Sequence, residues 1–479
     1  MSPVERAPNP QSTPSGATVF SLYAVMVAVA AAVFFWIRAI GEQLPSPARS
    51  LTVGPSSPAA APPAGPNTLF QFLLALAVII IIARLMGRLF EYAYQPPVVG
   101  EVIGGILLGP SLLGGIAPNV FAQLFPSSVA PFLGLHAQVG IILYMFIVGL
   151  ELDTREIRRS GHTTIAISHA SIVVPFLLGS WLALGVYTRL SPRTVPFTVF
   201  ALFLGVSMSV TAFPVLARIL TDRRMSRTRM GSIALTCAAV DDVTAWCLLA
   251  LVAGIAQARA ADALRTVLLT GVFIGLMITV AGSLIRRALP AFERQMPLSR
   301  QRLAAVLIAV LASAMTTEWI GIHGIFGAFL LGALIPATSP VVGELRNRLE
   351  DLVAVLFLPA FFAYTGLRTE VGLITGWNNW IWCGVIVLVA CAGKFGGTLA
   401  AARLTGLNWR DASALGVLMN TRGLVELIVL NIGLDLQVIS PRLFTMLVIM
   451  AIVTTMMTTP ILHLIVRRHP WVETERVIA

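Results

Sequence analysis

The chain has 479 residues, of which 57% are hydrophobic and only 11% are charged, and its mean hydropathy is +0.86. This composition is typical of an integral membrane protein and excludes an ordinary soluble protein. The formal net charge of +11 does not indicate nucleic-acid binding, because the arginines that produce it lie in the connections between apolar segments.

Apolar segments of about 20 residues follow one another along the chain, and each is long enough for a transmembrane helix. The connections between them are short, which predicts an all-α polytopic membrane protein without a separate soluble domain. The fourteen predicted spans are 18–39, 67–87, 98–116, 130–150, 163–187, 195–219, 230–257, 264–285, 303–319, 321–339, 352–367, 379–402, 412–433 and 442–466.

The first 66 residues are predicted to form an anchor helix and an extracytoplasmic linker that is rich in proline and alanine. The apolar run of the anchor exceeds that of a signal peptide, and Trp36 and Arg38 follow it, so we expect the anchor to be retained. Residues 67–467 are predicted to form the transmembrane domain, and 468–479 a short cytoplasmic tail.

The arginines indicate the orientation of the chain. If fourteen spans begin and end in the cytoplasm, 23 arginines lie on the cytoplasmic side, 8 lie outside, and Arg422 lies within a span. An excess of basic residues in cytoplasmic loops is the rule for membrane proteins. We therefore expect both termini to be cytoplasmic and the protein to reside in the plasma membrane.

Lys394 is the only lysine among the 33 basic residues, and it lies within the predicted span 379–402. An arginine stays protonated almost anywhere, whereas a buried lysine can lose its proton. A lysine near a helix end can extend its side chain to the membrane interface. Arg403, just beyond the end of this span, is nine residues away, or ~13.5 Å along a helix that rises ~1.5 Å per residue, which is about twice the reach of a lysine side chain. A GC-rich coding sequence favours arginine over lysine and could leave one lysine by chance. Ionisable residues within spans are nevertheless functional by default.

The two halves of the chain carry a weak repeat. Three short matches keep their order at offsets of 223, 217 and 211: Gly104–Gly109 with Gly327–Gly332, Gly149-Leu150 with Gly366-Leu367, and Gly205-Val206 with Gly416-Val417. In the predicted topology the matched segments run in opposite directions. Inverted repeats are typical of secondary transporters, whose substrate site lies near mid-membrane between the repeats.

The third pair of matched segments predicts two discontinuous helices. The first contains Thr211 and Pro214, and the second contains Asn420, Arg422 and Gly423. An internal proline removes a backbone hydrogen bond, and broken helices expose carbonyls and helix ends that can bind an ion. A kink and small-residue packing would explain either segment alone, but the pair at matching positions favours an ion site.

Asp241 and Asp242 are adjacent at the centre of the span 230–257. One aspartate at mid-bilayer costs about 3 kcal/mol, and neighbours on a helix point about 100° apart, so both must face protein or water. A salt bridge to Lys394 or Arg422 would explain one of them more readily than two. Oxygen ligands suit a hard monovalent cation, so we predict that a cation and protons compete for this pair.

Glu426 follows Arg422 by four residues, a spacing that permits an ion pair within one helix. We expect this pair to stabilise the broken span rather than to bind substrate. The sequence shows no nucleophile–base pair, Walker motif, glycine-rich phosphate loop or His/Cys metal cluster. We therefore expect neither an enzyme nor a bound cofactor.

Four segments of the chain carry a resemblance to a known family: Thr211–Pro214, Ala239–Trp246, Pro359–Leu367 and Met419–Leu427. Together they resemble the cation/proton antiporter superfamily, which has the sodium/hydrogen exchanger fold, over residues 67–467. Their sequences are most similar to the second branch of that superfamily, which contains plant cation/hydrogen exchangers, bacterial sodium/proton antiporters and glutathione-gated potassium efflux systems.

The resemblance implies a homodimer in which each protomer has a dimerisation subdomain and a core subdomain that moves as an elevator. It also implies that two discontinuous helices, those with Thr211 and Asn420, cross in the core. Asp242 matches the essential ion-carrying aspartate of the superfamily, and Asp241 the position before it. Lys394 matches a lysine that pairs with the first carboxylate and is released when the cation binds.

Two features depart from the relatives. The plant exchangers commonly have asparagine where this chain has Asp241, and the aspartate implies electrogenic exchange of more than one proton per cation. The potassium efflux relatives carry a cytoplasmic nucleotide-binding domain that this sequence does not include, so we expect that gating of this kind is absent or supplied by another subunit.

The expected function is therefore a Na⁺/H⁺ or K⁺/H⁺ antiporter that serves pH homeostasis, with Asp241, Asp242, Lys394, Thr211 and Asn420 at its site. A sodium-coupled organic anion symporter of the same fold is the first alternative, although few polar residues are left to bind an organic substrate. The second alternative is a sensor or channel subunit that keeps the fold without proton coupling.

Overall fold

A computed structural model describes residues 16–45, 67–152, 162–223, 225, 228–257, 263–294 and 296–466. Most of the predicted linker, residues 153–161 with their three arginines, and the predicted tail lie outside these described residues. Within them the chain is helical and contains no strand, so the predicted all-α class is confirmed.

The helices follow the predicted spans closely. Short π-helical segments at Met277–Ala281 and Val353–Phe357 each join two successive α-helices. In chain order the helices are α1 (Gly16–Gly41), α2 (Thr68–Tyr92), α3 (Pro97–Leu108), α4 (Leu113–Ile116), α5 (Pro118–Leu124), α6 (Ala130–Glu151), α7 (His162–Leu190), α8 (Phe197–Ser209), α9 (Phe213–Asp222), α10 (Arg229–Gln257), α11 (Ala263–Leu276), α12 (Gly282–Glu293), α13 (Arg300–Ile320), α14 (Ile325–Ala333), α15 (Pro340–Leu352), α16 (Leu358–Leu367), α17 (Trp377–Leu404), α18 (Trp409–Met419), α19 (Leu424–Asp435) and α20 (Pro441–Val466).

Among the described residues, twelve helical segments are long and apolar enough to cross a membrane, or thirteen if the bent pair α18–α19 is one span. The prediction of a continuous span over 321–339 is wrong, because α14 in this region has only 9 residues. Gly321 ends α13 in the left-handed conformation, with φ of 98°, and Pro336 cannot continue α14.

Residues 323–339, which contain α14, nevertheless run back from one end of α13 towards the other. At one end, His323 lines a cavity together with Asp435, the last residue of α19. At the other end, the hydroxyl of Ser339 donates a 2.7 Å hydrogen bond to Glu293, the last residue of α12. Because α13 connects these same two ends, residues 323–339 return across the bundle despite the shortness of their helix.

The helices pack as two sets. The core set has α7 at its centre and contains α8, α9, α10 and α17 to α20. The frame set contains α2, α3, α6 and α13 to α16. Helix α11 contacts both sets, through α10 on one side and α13 on the other. All the predicted ion-site residues lie in the core set.

Glycines from the sequence repeat permit the closest contacts in the frame set. A β-carbon on Gly109, at the end of α3, would lie 2.7 Å from the carbonyl oxygen of Gly366 in α16. A β-carbon on Gly332 in α14 would lie 3.0 Å from the carbonyl carbon of Gly149 in α6. The repeat matches Gly109 with Gly332 and Gly366 with Gly149, so it relates one contact to the other, and the packing follows the repeat that the offsets predict.

Helix α1 packs on the core set, against α7 and α8. Ile37 of α1 is buried, and the ring of Phe34 lies 5.8 Å from that of Phe176. Beyond the helix, Glu42 accepts hydrogen bonds from Arg38 at 2.7 Å and from Thr198 at 3.0 Å, which lower the pKa of its carboxyl below the ordinary value. The anchor therefore contacts the set that carries the ion-site residues, while the chain that follows it enters the frame set at α2.

Candidate functional site

Two breaks in helices meet inside the core set. Residues 210–212 separate α8 from α9 in an extended conformation, and residues 420–423 separate α18 from α19 at a bend of 44°. The backbone N–H of Ala212 donates a 3.1 Å hydrogen bond to the carbonyl of Thr421. The two discontinuous helices therefore cross at their breaks, as the resemblance implied.

The local sequence explains why both helices stop here. Pro214 is the second residue of α9, where its missing N–H costs nothing because the first turn of a helix has no internal acceptor for it. Gly423 ends the second break, and a β-carbon there would lie 2.6 Å from Cγ2 of Val215 in α9. A larger residue at 423 would separate the two breaks.

Asp241 of α10 lies beside this crossing and has four donors around its carboxylate. The hydroxyls of Ser168 and Ser171, both on α7, lie 2.6 Å from Oδ1 and Oδ2 respectively. Oδ2 also lies 3.0 Å from the hydroxyl of Thr211 and 2.9 Å from Nζ of Lys394. The carboxylate is completely buried, and its charge is compensated by hydrogen bonds and by one ammonium group.

Asp242, the next residue, has the opposite environment. Its side chain is 3% exposed, and both carboxylate oxygens are buried without a hydrogen-bond partner in the protein. The backbone amide of Phe213, the first residue of α9, interacts with this carboxylate, but outside hydrogen-bond geometry. A helix N-terminus favours a nearby negative charge. A buried carboxylate with free lone pairs is suited to accept a proton or a cation.

Lys394 joins α17 to the first break and to α10. Its ammonium group donates to Asp241 and, at 2.5 Å, to the hydroxyl of Thr211. The side chain is completely buried, so it does not reach the membrane interface. Lys394 is therefore held by groups from two different helices, and either contact can change if the helices move.

Arg422, in the second break, compensates the end of the first broken helix. Its guanidinium donates hydrogen bonds of 2.7 Å to the carbonyl oxygens of Ser207 and Met208, in the last turn of α8. It also forms a completely buried 3.0 Å ion pair with Glu426, in the first turn of α19. A cation at a helix C-terminus and an anion at a helix N-terminus both oppose the helix dipole.

Among the predicted ion-site residues, Asn420 forms no hydrogen bond with either aspartate. Its amide nitrogen lies 3.5 Å from Sγ of Cys391 on α17, and its side-chain oxygen is buried without a partner. The residue lies in the second break, one position before Thr421, whose carbonyl accepts from the first break. Asn420 thus belongs to the crossing but not to the hydrogen-bond shell of Asp241.

The contacts of Ser168 and Ser171 with Asp241 are not predicted by the sequence. The signal that could have found them is the spacing of three residues, which puts two hydroxyls on one face of an apolar helix. Serines are common in membrane helices as small packing residues, so the pattern alone does not separate a site from a packing surface. Among the described residues, no three His, Cys, Asp or Glu side chains form a cluster that could hold a metal.

Residues 73–468 match the profile of the transmembrane sodium/hydrogen exchanger family. The chain belongs to the sodium/hydrogen exchanger family. The match covers almost the whole range over which the sequence resembles the antiporters, and it makes the chain a member of a family of membrane transporters.

Individual antiporters from a bacterium, a plant and a yeast are also similar in sequence to this chain. The chain is 46% identical over 406 residues to the Na⁺/H⁺ antiporter NhaS4 of Synechocystis. The aligned region covers 84% of this chain and 98% of that protein. It is 40% identical to cation/H⁺ antiporter 18 of Arabidopsis thaliana and 36% identical to K⁺/H⁺ antiporter 1 of Saccharomyces cerevisiae. These matches cover 81% and 84% of this chain, but only 48% and 46% of the plant and yeast proteins.

The fold is shared with a solved antiporter structure. The sodium/proton antiporter MjNhaP1 of Methanocaldococcus jannaschii superposes with a TM-score of 0.59, over 83% of this chain and 96% of that one, at 15% sequence identity. The predicted antiporter fold is therefore confirmed.

Proposed function

We propose that this protein exchanges Na⁺ or K⁺ for protons across a membrane, with Asp242 as the carrier of both. The supporting observation is the contrast between the two adjacent aspartates: Asp241 has four donors, whereas both oxygens of Asp242 are buried without a hydrogen-bond partner in the protein. A group that must alternate between a proton and a cation needs free lone pairs, and Asp242 provides them.

Lys394 acts as the counterion in this proposal. While Asp242 carries a proton, Lys394 remains paired with Asp241 at 2.9 Å. When a cation binds at Asp242, the ammonium group experiences an added positive charge nearby and separates from Asp241. Because such a lysine can give up its proton, exchange of more than one proton per cation follows, and the transport is electrogenic.

The movement that exposes the site to either side is proposed to be a displacement of the core set against the frame set. The aspartates, Lys394 and both breaks all belong to the core set, so they can move together without breaking the hydrogen bonds that join them. The frame set exposes large apolar residues along α2, such as Leu69, Phe70 and Leu73, which suit contact with lipid or with a second protomer. We accordingly propose a plasma-membrane homodimer with cytoplasmic termini, in line with the arginine distribution.

Proton flux in proteoliposomes tests the proposal. Addition of Na⁺ or K⁺ to the purified protein should drive proton movement, and Asp242→Asn should abolish it because an amide neither binds a proton nor neutralises a cation. Asp351→Asn is the matched control, since Asp351 is an exposed carboxylate on α15. Exchange that survived Asp242→Asn would refute the assignment of the carrier.

Transport measurements at controlled membrane potential distinguish electrogenic exchange from one-for-one exchange. With the potential clamped at different values, an electrogenic antiporter changes its rate, whereas a one-for-one exchanger does not. Comparison of Na⁺ with K⁺ in the same vesicles gives the selectivity. Co-transport of an organic anion with Na⁺, without proton movement, would instead favour a symporter.

A further inference from the structure

Ser168 and Ser171 form a pair of hydroxyls, one helical turn apart on α7, that lie against the carboxylate of Asp241. Both side chains are completely buried, and each hydroxyl lies 2.6 Å from a different oxygen of the Asp241 carboxylate. Short bonds of this kind to a charged acceptor are among the stronger hydrogen bonds in proteins. The pair therefore contributes to the stability of the carboxylate independently of Lys394.

The contacts of Asp241 show what happens if Lys394 moves away. Oδ2 loses the ammonium group but keeps Ser171 and the hydroxyl of Thr211 within 3.0 Å, and Oδ1 keeps Ser168. Without these hydroxyls, separation of the ion pair would leave a buried carboxylate without a donor, which is among the most costly arrangements in a protein interior. The hydroxyls thus lower the cost of opening the ion pair.

The serines also have second acceptors. The hydroxyl of Ser171 lies 2.8 Å from the carbonyl oxygen of Ser168, and that of Ser168 lies 3.3 Å from the carbonyl oxygen of Cys237. A hydroxyl has one proton and can rotate between two acceptors. Each serine can therefore strengthen or relax its bond to Asp241 without becoming unpaired itself.

We propose that Ser168 and Ser171 are positioning residues that hold the Asp241 carboxylate while Lys394 separates from it, and that they thereby permit cation binding at Asp242. This role rests on the proposed antiport, in which Lys394 leaves Asp241 once per cycle. The serines touch neither the cation nor the transported proton. Their effect is exerted through the ion pair.

A thermal-unfolding cycle in detergent tests the role without measuring transport. The variants are Ser168→Ala/Ser171→Ala, Lys394→Met and their combination. If the serines and Lys394 stabilise the same carboxylate, the combined variant loses about 2–4 °C more than the sum of the separate losses, because residues that share a partner are not additive. In an Asp241→Asn background this excess disappears.

Ser180→Ala is the matched control for this cycle. Ser180 is also completely buried on α7, but its hydroxyl donates only to the carbonyl oxygen of Ala201, at 3.2 Å. Its effect should add to that of Lys394→Met. Additive losses for the serine pair, or an equal excess for Ser180→Ala, would overturn the proposal.

Transport provides a second readout, which a purely structural role would not produce and which does not require the combined variant to fold. Without the serines the ion pair is harder to open, so the KM for the cation should rise by at least about tenfold, because the loss of even one hydrogen bond to a charged group accounts for a factor of that size. The maximal rate should stay within about twofold, because at saturating cation the ion pair between Lys394 and Asp241 is already open. Ser180→Ala should change neither value, and an unchanged KM in the serine variant would contradict the proposal.

The two proposals fail in different ways. If Asp242→Asn retains exchange while the unfolding cycle shows the excess, the carrier assignment is wrong and the serine contacts still stabilise Asp241. If Asp242→Asn abolishes exchange while the unfolding cycle is additive and the KM is unchanged, the antiport stands and the role of the serines is refuted.

Discussion

Arg422 and Ser207 link the two broken helices directly: Nη1 of Arg422 donates a 2.7 Å hydrogen bond to the carbonyl oxygen of Ser207. The same nitrogen lies 3.0 Å from Glu426. A helix that ends inside a protein leaves carbonyl oxygens without internal partners, and here a buried guanidinium from the other broken helix satisfies them. The charge at the crossing is thus balanced by Arg422 and Glu426 independently of the aspartates.

Replacement of Arg422 by methionine should be strongly destabilising. The change leaves Glu426 and the carbonyls of α8 buried without a partner, and removal of one member of a buried ion pair typically costs about 3–5 kcal/mol. The expected result is a marked loss of melting temperature in detergent and low yield. Arg422→Met/Glu426→Gln should recover part of the loss, because the uncompensated charge is removed. A melting temperature equal to that of the unaltered protein would contradict this account.

Substitution of Lys394 by arginine tests whether this charge must be released. Arginine can retain the pairing with Asp241 but stays protonated under all physiological conditions. The protein should therefore fold, while voltage-dependent exchange in proteoliposomes is lost. The control is Asp241→Asn/Lys394→Met, which removes both charges and should leave exchange that no longer depends on the potential. An arginine variant with normal voltage-dependent exchange would show that a titrating lysine is not needed.

The sequence predicted most of the fold because hydropathy and helix length are local properties. Thirteen of the predicted spans overlap helical segments of the described residues that are long and apolar enough to cross a membrane, if the bent pair α18–α19 counts as one. The exception, 321–339, is apolar throughout, yet Gly321 and Pro336 restrict its helix to Ile325–Ala333. Burial in the bundle makes such a segment apolar whether or not it forms a long helix.

The site was predictable only in part. Asp241, Asp242 and Lys394 attract attention because charges are costly within spans, and that cost is visible from the sequence. The donor role of Ser168 and Ser171 depends on how α7 is rotated against α10, a tertiary property that their sequence positions do not contain. The different environments of the two adjacent aspartates also arise from packing alone.

Replacement of Gly366 by alanine should weaken the frame set. A β-carbon there would lie 2.5 Å from the carbonyl oxygen of Gly105, which is backbone and cannot turn aside. Crowding of this kind costs about 1–3 kcal/mol, and the melting temperature should fall accordingly. Gly384→Ala on α17 is the control, because nothing lies within 4 Å of its added carbon and alanine favours a helix. Similar melting temperatures for the two variants would contradict the predicted crowding.

Arg368 forms a polar contact between the frame set and the core set. It follows α16 and donates hydrogen bonds of 3.1 Å to Asn431 and 2.6 Å to Asp435, both on α19. Asn431 in turn donates a 2.8 Å hydrogen bond to Thr365 of α16. If the two sets move against each other during transport, these bonds must break and re-form.

Removal of this contact should therefore loosen α19. In Arg368→Ala, peptides that cover 424–438 should exchange their amide hydrogens faster than in the unaltered protein, because opening of this region loses its cross-set bonds. The effect should be modest, since the Arg368 and Asp435 side chains are 21% and 37% exposed and solvent screens the pair. Arg368→Asp/Asp435→Arg keeps an ion pair at the same place and should restore slow exchange. Unchanged exchange in Arg368→Ala would mean that apolar packing alone holds α19 against the frame set.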